Sequence, residues 1–248
     1  MIGSGSHNSR WGTRALDTVE AIEAAKEPAE VAALFNAVIT ECGFHAYFMA
    51  GLPPPEQSLS DLVVANGWHP EWFELYTRER FVDVDPIPLY CKQTTRAFEW
   101  REAPYNRDND TAARAVMERA LDFRMFEGFC IPIHYDDGSS AAVSIAGEHV
   151  EIGGGAKPAL HLVGLYAHNR LRSMLRGPKK ARKPVLSPRE REVLRWTAAG
   201  KTSWEVGEIL NISERTVNAH IQSAAGKMNA VNRVALVVSA LRGREISF

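Results

Sequence analysis

Two groups of residues carry the types and spacings that chemistry needs. In the first, Trp72 and Tyr76 stand four apart, Asp85-Pro86 follows after a short gap, and Trp100 lies beyond. Four residues is about one helical turn, so the indole and the phenol share a face. An indole N–H and a phenol O–H donate hydrogen bonds, and a carboxylate accepts them. A compact amide-bearing ligand needs that set, donors for its carbonyls and an acceptor for its N–H. The same residues also suit a structural purpose, since Trp and Tyr at helical spacing pack cores and Asp before Pro caps a turn. The spacing alone leaves both readings open. The second group lies near the C-terminus, where Ser213-Glu214-Arg215-Thr216-Val217 leads into Asn218, His220 and Gln222. If this stretch is a helix lying in a DNA major groove, Arg215, Thr216, Asn218 and Gln222 are the polar residues that meet base edges, and the two amides share a face. Lys201, Arg215, His220 and Lys227 suit phosphates.

Other chemistries find no support. A nucleophile elbow, a His-Glu-x-x-His metal pair and a Walker loop are all missing from the sequence, so neither catalytic residues, metal ligands nor a cofactor are expected. Gly153-Gly154-Gly155 lacks the Lys-Ser/Thr of a phosphate loop and reads as a turn. His161 and His168, seven apart on one helical stretch, read as solvated or interfacial. Cys42, Cys91 and Cys130 are an odd and scattered set, best read as reduced core thiols. With 45% hydrophobic and 24% charged residues the chain is globular in composition, and no apolar run approaches a membrane span, which points to the cytoplasm.

The net charge of -1 hides a division: from Pro178 onward 13 basic residues face 6 acidic ones, while before it 16 basic residues face 24 acidic ones. A basic C-terminal part behind an acidic N-terminal one is the pattern of a chain whose second half meets a polyanion.

The elements that must position these residues follow from periodicity. Helical patterns fall at Trp11–Ala25, Glu30–Glu41, Pro70–Arg80, Thr111–Asp122 and Ala159–Leu175. Strand-like runs fall at Phe44–Ala50, Leu62–Ala65, Phe129–Tyr135 and Ala141–Ala146, with Asp136-Asp137-Gly138 as a hairpin turn. Helices bracketing an antiparallel sheet predict an α+β chain whose first domain, residues 10–176, is an α/β/α sandwich. Residues 1–9 read as a polar tail. The basic, Pro- and Gly-containing stretch 177–185 reads as a linker.

Residues 186–248 predict an all-α domain of four helices. Ser187 and Glu190 form a capping box with Pro188 at the first helical position, and Gly200 is suited to the C-cap. A second box starts at Thr202, Asn211-Ile212-Ser213 makes a turn, and Ser213 caps the third helix. Two short helices joined by a three-residue turn are a helix-turn-helix. The last helix, Asn232–Arg242, carries more apolar surface than so small a domain needs, part of which suits a dimer seam.

This segment resembles the LuxR-type helix-turn-helix, also found in NarL-type response regulators. The resemblance rests on Glu190, Leu194, Gly200, the run Ser213–Val217 and His220. For the first domain a phosphoacceptor receiver, an enzyme and a small-molecule receptor compete. A receiver would begin with an apolar strand ending in paired acids, whereas this chain begins with helices. Trp72, Tyr76, Asp85, Pro86, Trp100 and Gly128 match in order and spacing the signature of the acyl-homoserine-lactone-binding domain of LuxR-type quorum-sensing receptors.

That resemblance implies roles. Trp72 donates to the lactone carbonyl, Asp85 accepts from the amide N–H, Tyr76 lies against the acyl chain or its carbonyl, Ser144 bonds the acyl carbonyl, and Trp100 packs over the lactone ring. Trp68 stands where several members carry Tyr, and with Phe48 and Phe81 it suggests a short, branched or aromatic acyl group. The resemblance also implies a ligand-dependent homodimer on palindromic double-stranded promoter DNA, most simply an activator that meets RNA polymerase.

Overall fold

The computed structural model describes residues 4–54, 57–153, 155–176 and 185–247. The chain divides into two compact units, one built from residues up to 135 and from 139 to 178, the other from 136 to 138 and from 179 to the end. The expected linker 177–185 lies, but for its last residue, outside the described residues.

In the first unit a five-stranded antiparallel sheet runs in the order β2-β1-β5-β4-β3. Its strands are β1 (Phe44–Gly51), β2 (Val63–Asn66), β3 (Phe98–Glu99), β4 (Glu127–His134) and β5 (Ser140–Gly147). Side chains alternate between the two faces of a strand, and here both faces are covered. Met49, Ile131, Val143 and Ile145 point to one side and pack against α1 (Ser4–Ala24), α2 (Pro28–Glu41) and α6 (Ala156–Arg176) through Ile22, Phe35 and Leu160. Phe48, Ala50, Cys130 and Ala142 point to the other side, toward α3 (Pro70–Arg78), α4 (Pro86–Cys91) and α5 (Thr111–Leu121). This is the expected α/β/α sandwich.

Local sequence explains the ends. Glu27 and Glu30 form a capping box with Pro28 at the first position of α2. Asp110 caps α5 by accepting from the Ala113 N–H. Gly164 lies where a Cβ would come within 2.5 Å of Ile131 Cδ1, so glycine there leaves room for the Ile131 side chain where α6 crosses the sheet. Two expectations need correction. Helix α1 already begins at Ser4, where a tail was expected, because its turns continue backward from an anchored amphipathic segment. His168 is fully buried rather than solvated, its Nε2 2.7 Å from the Tyr135 hydroxyl, which supplies the polar partner that makes burial tolerable.

The second unit contains α7 (Pro188–Ala198), α8 (Ser203–Leu210), α9 (Glu214–Met228) and α10 (Arg233–Arg242). Each has a side-chain cap, from Ser187, Thr202, Ser213 and Asn232. Gly200 has φ +84°, a left-handed conformation that glycine adopts without strain, and it closes the turn after α7. Val193, Val206 and Val217 meet where α7, α8 and α9 converge. Leu194, Ala224, Leu236 and Ala240 join α7 and α9 to α10.

Candidate functional sites

On the α3–α4–α5 side of the sheet lies a cavity of about 50 Å³ whose wall includes Trp72, Tyr76, Asp85, Trp100 and Ser144. Trp72 and Tyr76 come from successive turns of α3, with ring centroids 5.5 Å apart. Asp85 arrives from the next segment. One carboxylate oxygen accepts from the Ile87 N–H at 2.8 Å, and the other accepts from the Tyr76 hydroxyl at 2.7 Å. Asp85 is therefore the cap of α4 and also a member of the cavity wall. Each carboxylate oxygen has a further lone pair.

Burial pushes the Asp85 carboxyl up to about 6, although its two hydrogen bonds favour the charged form. The Tyr76 hydroxyl is driven above its ordinary range by burial and then by the Asp85 charge, so it remains a donor.

The most informative atom is the indole nitrogen of Trp72. Trp72 is 2% exposed, and its Nε1 has no acceptor among the described residues. A buried N–H without a partner costs about 1 to 3 kcal/mol, and such donors are rare in folded proteins. Trp100 is held differently, with its Nε1 donating to Ser144 Oγ at 3.1 Å. Its ring lies against Gly128, where a Cβ would stand 2.2 Å away. Glycine at 128 is thus what lets Trp100 close that wall. Ser144, expected to serve a ligand carbonyl, accepts from Trp100 here, and its own O–H can still donate.

The expected aromatic residues divide. Phe48 and Trp68 stack nearly parallel, centroids 4.1 Å apart, and both line the cavity. Trp68 also leans on Tyr76 at 5.0 Å. Phe81 is not on the cavity wall: it packs against Trp72 and Tyr76, at centroid distances of 6.0 Å and 5.8 Å. It follows Arg80, whose φ is +52°, and that left-handed step turns the chain after α3. Sequence reasoning missed Cys130, a cavity-wall residue directly opposite Ser144 on the neighbouring strand. A strand-register argument through the hairpin would have found it.

In the second unit, α8, the turn at Asn211–Ser213 and α9 make the helix-turn-helix. Asn211 takes a left-handed φ of +54°, and a Cβ on Gly207 would meet the Ile212 carbonyl at 2.7 Å. Val217 and Ala224 face inward, while Arg215, Asn218 and Gln222 are exposed at helical spacing on the opposite side. Thr216 supports the cap, with its hydroxyl 2.8 Å from Ser213 Oγ, and His220 is half-buried. Asn218 is less free than expected, because its side-chain carbonyl accepts from Ser203 Oγ at 2.7 Å, and Arg233 in turn donates to Ser203 at 3.1 Å.

The two lysines expected on phosphates are both paired. Lys201 lies 3.1 Å from Glu205 on the surface. Lys227 donates to both Glu190 oxygens at 2.8 Å, and Ser223 donates to Glu190 at 2.7 Å. Burial would raise the Glu190 carboxyl, but Lys227, Ser223 and the capping groups of Ser187 outweigh it and hold the pKa at about 2. This arrangement gives Lys227 a structural role, tying α9 to the start of α7.

Comparison with known proteins agrees with both halves. Residues 27–171 match the autoinducer binding domain, and residues 184–240 match the bacterial regulatory proteins of the luxR family. The chain is similar to the HTH-type quorum sensing-dependent transcriptional regulator RpaR of Rhodopseudomonas palustris, with 49% identity covering 93% of this chain and 94% of that protein. It is also similar to the transcriptional activator protein BjaR1 of Bradyrhizobium diazoefficiens, with 40% identity covering 96% and 98%. Its fold resembles that of Escherichia coli SdiA at a TM-score of 0.67 and 21% identity, covering 91% of this chain and 94% of SdiA. The chain belongs to the LuxR-type family of quorum-sensing transcriptional regulators, carrying an autoinducer-binding domain ahead of a luxR-family helix-turn-helix domain.

Proposed function

We propose that the autoinducer is an acyl-homoserine lactone, held in the cavity of a first domain spanning residues 10–176. A linker, 177–185, leads to a DNA-binding domain, 186–248, through which a homodimer activates transcription at a palindromic promoter site in the cytoplasm, in contact with RNA polymerase. The observation that carries this reading is that Trp72 lines the cavity and its buried indole N–H has no acceptor among the described residues. A ligand carbonyl satisfies it. Asp85 then accepts the ligand amide N–H while keeping the Tyr76 hydroxyl as a donor, Tyr76 lies against the acyl chain or its carbonyl, Ser144 offers its O–H to the acyl carbonyl, and Trp100 covers the lactone ring.

The acyl group is short, branched or aromatic. The cavity is small, and the stacked Phe48–Trp68 pair forms part of its wall. Filling the cavity stabilises the first domain by supplying an acceptor to Trp72 and a donor to Asp85, and the gain grows with ligand concentration over Kd.

Dimerisation has apolar surface available in each unit. Leu16 and Leu175 are exposed on α1 and α6, and Val231, Val234 and Val238 form a stripe at and along α10 that is 91%, 73% and 40% exposed. A two-fold dimer presents two α9 helices, and its two-fold symmetry calls for a palindrome. Arg215, Thr216, Asn218 and Gln222 read bases, while Lys201, Arg215 and His220 lie toward phosphates, joined by Lys227 to the extent that Glu190 releases it.

The test is to express the protein in the presence of a mixture of short-chain, branched, aromatic and long-chain acyl-homoserine lactones and to extract the purified protein for mass spectrometry. Retention of one compact member at about one per protomer is expected. Recovery of no lactone, or of the long-chain ones alone, would overturn the ligand or the acyl assignment respectively.

A further inference from the structure

Cys91 and Cys130 are 39 residues apart in sequence, yet their sulfurs are 3.2 Å apart. Cys91 ends the short helix α4, and Cys130 lies in β4 with its side chain on the cavity wall. Both thiols are free and fully buried. No other cysteine shares their cluster, since Cys42 packs on the opposite face of the sheet. A disulfide requires a sulfur separation of about 2.05 Å, so closing this pair needs an approach of only about 1 Å. Cys91 is the last residue of a six-residue helix, where such an approach disturbs little regular structure.

We propose that Cys91 and Cys130 form a dithiol on the cavity wall that a hydroperoxide, entering through the cavity, oxidises to an intramolecular disulfide. In the first step one thiolate attacks a peroxide oxygen. The O–O bond breaks, the sulfur becomes a sulfenic acid, and one water leaves. In the second step the other thiol, losing its proton, attacks the sulfenic sulfur. The S–S bond forms, the S–O bond breaks, and a second water leaves. Two thiols and one hydrogen peroxide thus give one disulfide and two waters. Burial, reinforced by Cys91, holds the Cys130 thiol protonated well above its ordinary range, so the reaction is slow and needs sustained peroxide. The bond would fix the end of α4 to β4 beside Ile87 and Pro88, two more wall residues. This chemistry uses the ligand-free cavity as its entry and does not depend on which signal the cavity otherwise holds.

The test uses the full-length protein treated with hydrogen peroxide at a level that fully oxidises added glutathione, then denatured and alkylated. The expected result is a fall from three free thiols to one, with Cys42 remaining. Peptide mapping should then show a Cys91–Cys130 link with a mass loss of two hydrogens, reversed by dithiothreitol. In Cys91→Ser no such loss should occur. Retention of all three thiols, a link between chains, or a two-hydrogen loss that persists in Cys91→Ser would each overturn the proposal.

Discussion

Ligand affinity should depend on pH through Asp85, and the structure fixes the sign. Burial raises the Asp85 carboxyl from its ordinary 3.8 to about 6, against the pull of the Ile87 N–H and the Tyr76 hydroxyl. At about 1.36 kcal/mol per pH unit, this corresponds to about 3 kcal/mol held against the ionised form. Because the folded value lies above the unfolded one, this group's contribution to stability is complete below about 3.8 and is lost as pH rises through about 6. At neutral pH the ligand-free cavity therefore holds a disfavoured carboxylate. An amide N–H from the ligand stabilises only that carboxylate, so binding lowers the pKa, and affinity falls as pH drops through about 6.

A hydrogen bond to a charged group is worth about 1.5 to 3 kcal/mol, so the full loss is about ten- to a hundredfold in Kd, of which up to about tenfold is reached by about pH 5. Among the wall residues only Tyr76 and Cys130 also titrate, and burial drives both upward, out of this range. The assay is isothermal titration with an acyl-homoserine lactone from about pH 7.5 to about pH 5, repeated with Asp85→Asn, whose profile should be flat. A flat wild-type profile, or an equal slope in Asp85→Asn, would refute the pairing of Asp85 with the ligand.

Three further outcomes follow from the geometry. Gly128→Ala places a methyl 2.2 Å from the Trp100 ring, so it should lower stability by about 1 to 3 kcal/mol and weaken ligand binding, as read by melting with and without ligand. Glu190 has a folded pKa of about 2 against an ordinary 4.5, so the stability it contributes to the DNA-binding domain is present above about 4.5 and is lost as pH falls toward 2. Lys227→Ala should accordingly lower that domain's melting temperature at neutral pH, and an unchanged melt would mark the lysine as a phosphate contact alone. Asn218→Ala should weaken the specific site by about 1 to 3 kcal/mol while leaving non-specific binding intact, and Ser203→Ala, which frees the Asn218 carbonyl, should change the preferred base rather than the overall affinity, both measured by competition gel shift.

Much of the architecture could be read from periodicity and caps. The Ser187, Thr202 and Ser213 caps and the left-handed Gly200 sit in the structure where the residue types put them. The helices and long strands of the first unit also follow the apolar pattern. The elements that escaped are those too short to carry a period. β3 has two residues, and α4 has six, two of them proline, yet Trp100 directly follows the first and Asp85 caps the second, and both line the cavity.

Pairings across long sequence separations escaped for another reason, because only the fold brings such residues together. Lys227 reads as a surface cation, and its salt bridge to Glu190, 37 residues earlier, becomes visible only once α9 packs on α7. His168 reads as polar on a helix, and its burial depends on Tyr135, 33 residues away. Cys91 and Cys130 read as unrelated. Phe81 has the right type for a cavity wall, but the left-handed Arg80 sends it behind Trp72 and Tyr76.

On the proposed function, the Trp72 indole N–H takes a carbonyl of an acyl-homoserine lactone as its acceptor. Titrating one such lactone into wild type and into Trp72→Phe, which keeps an aromatic ring and removes the donor, tests it most directly. A neutral hydrogen bond is worth about 1 kcal/mol, so binding at one lactone per protomer should weaken by at least about fivefold in Trp72→Phe, with the protein still folded. Equal affinity in the two proteins, or no binding of any lactone to wild type, would contradict the account.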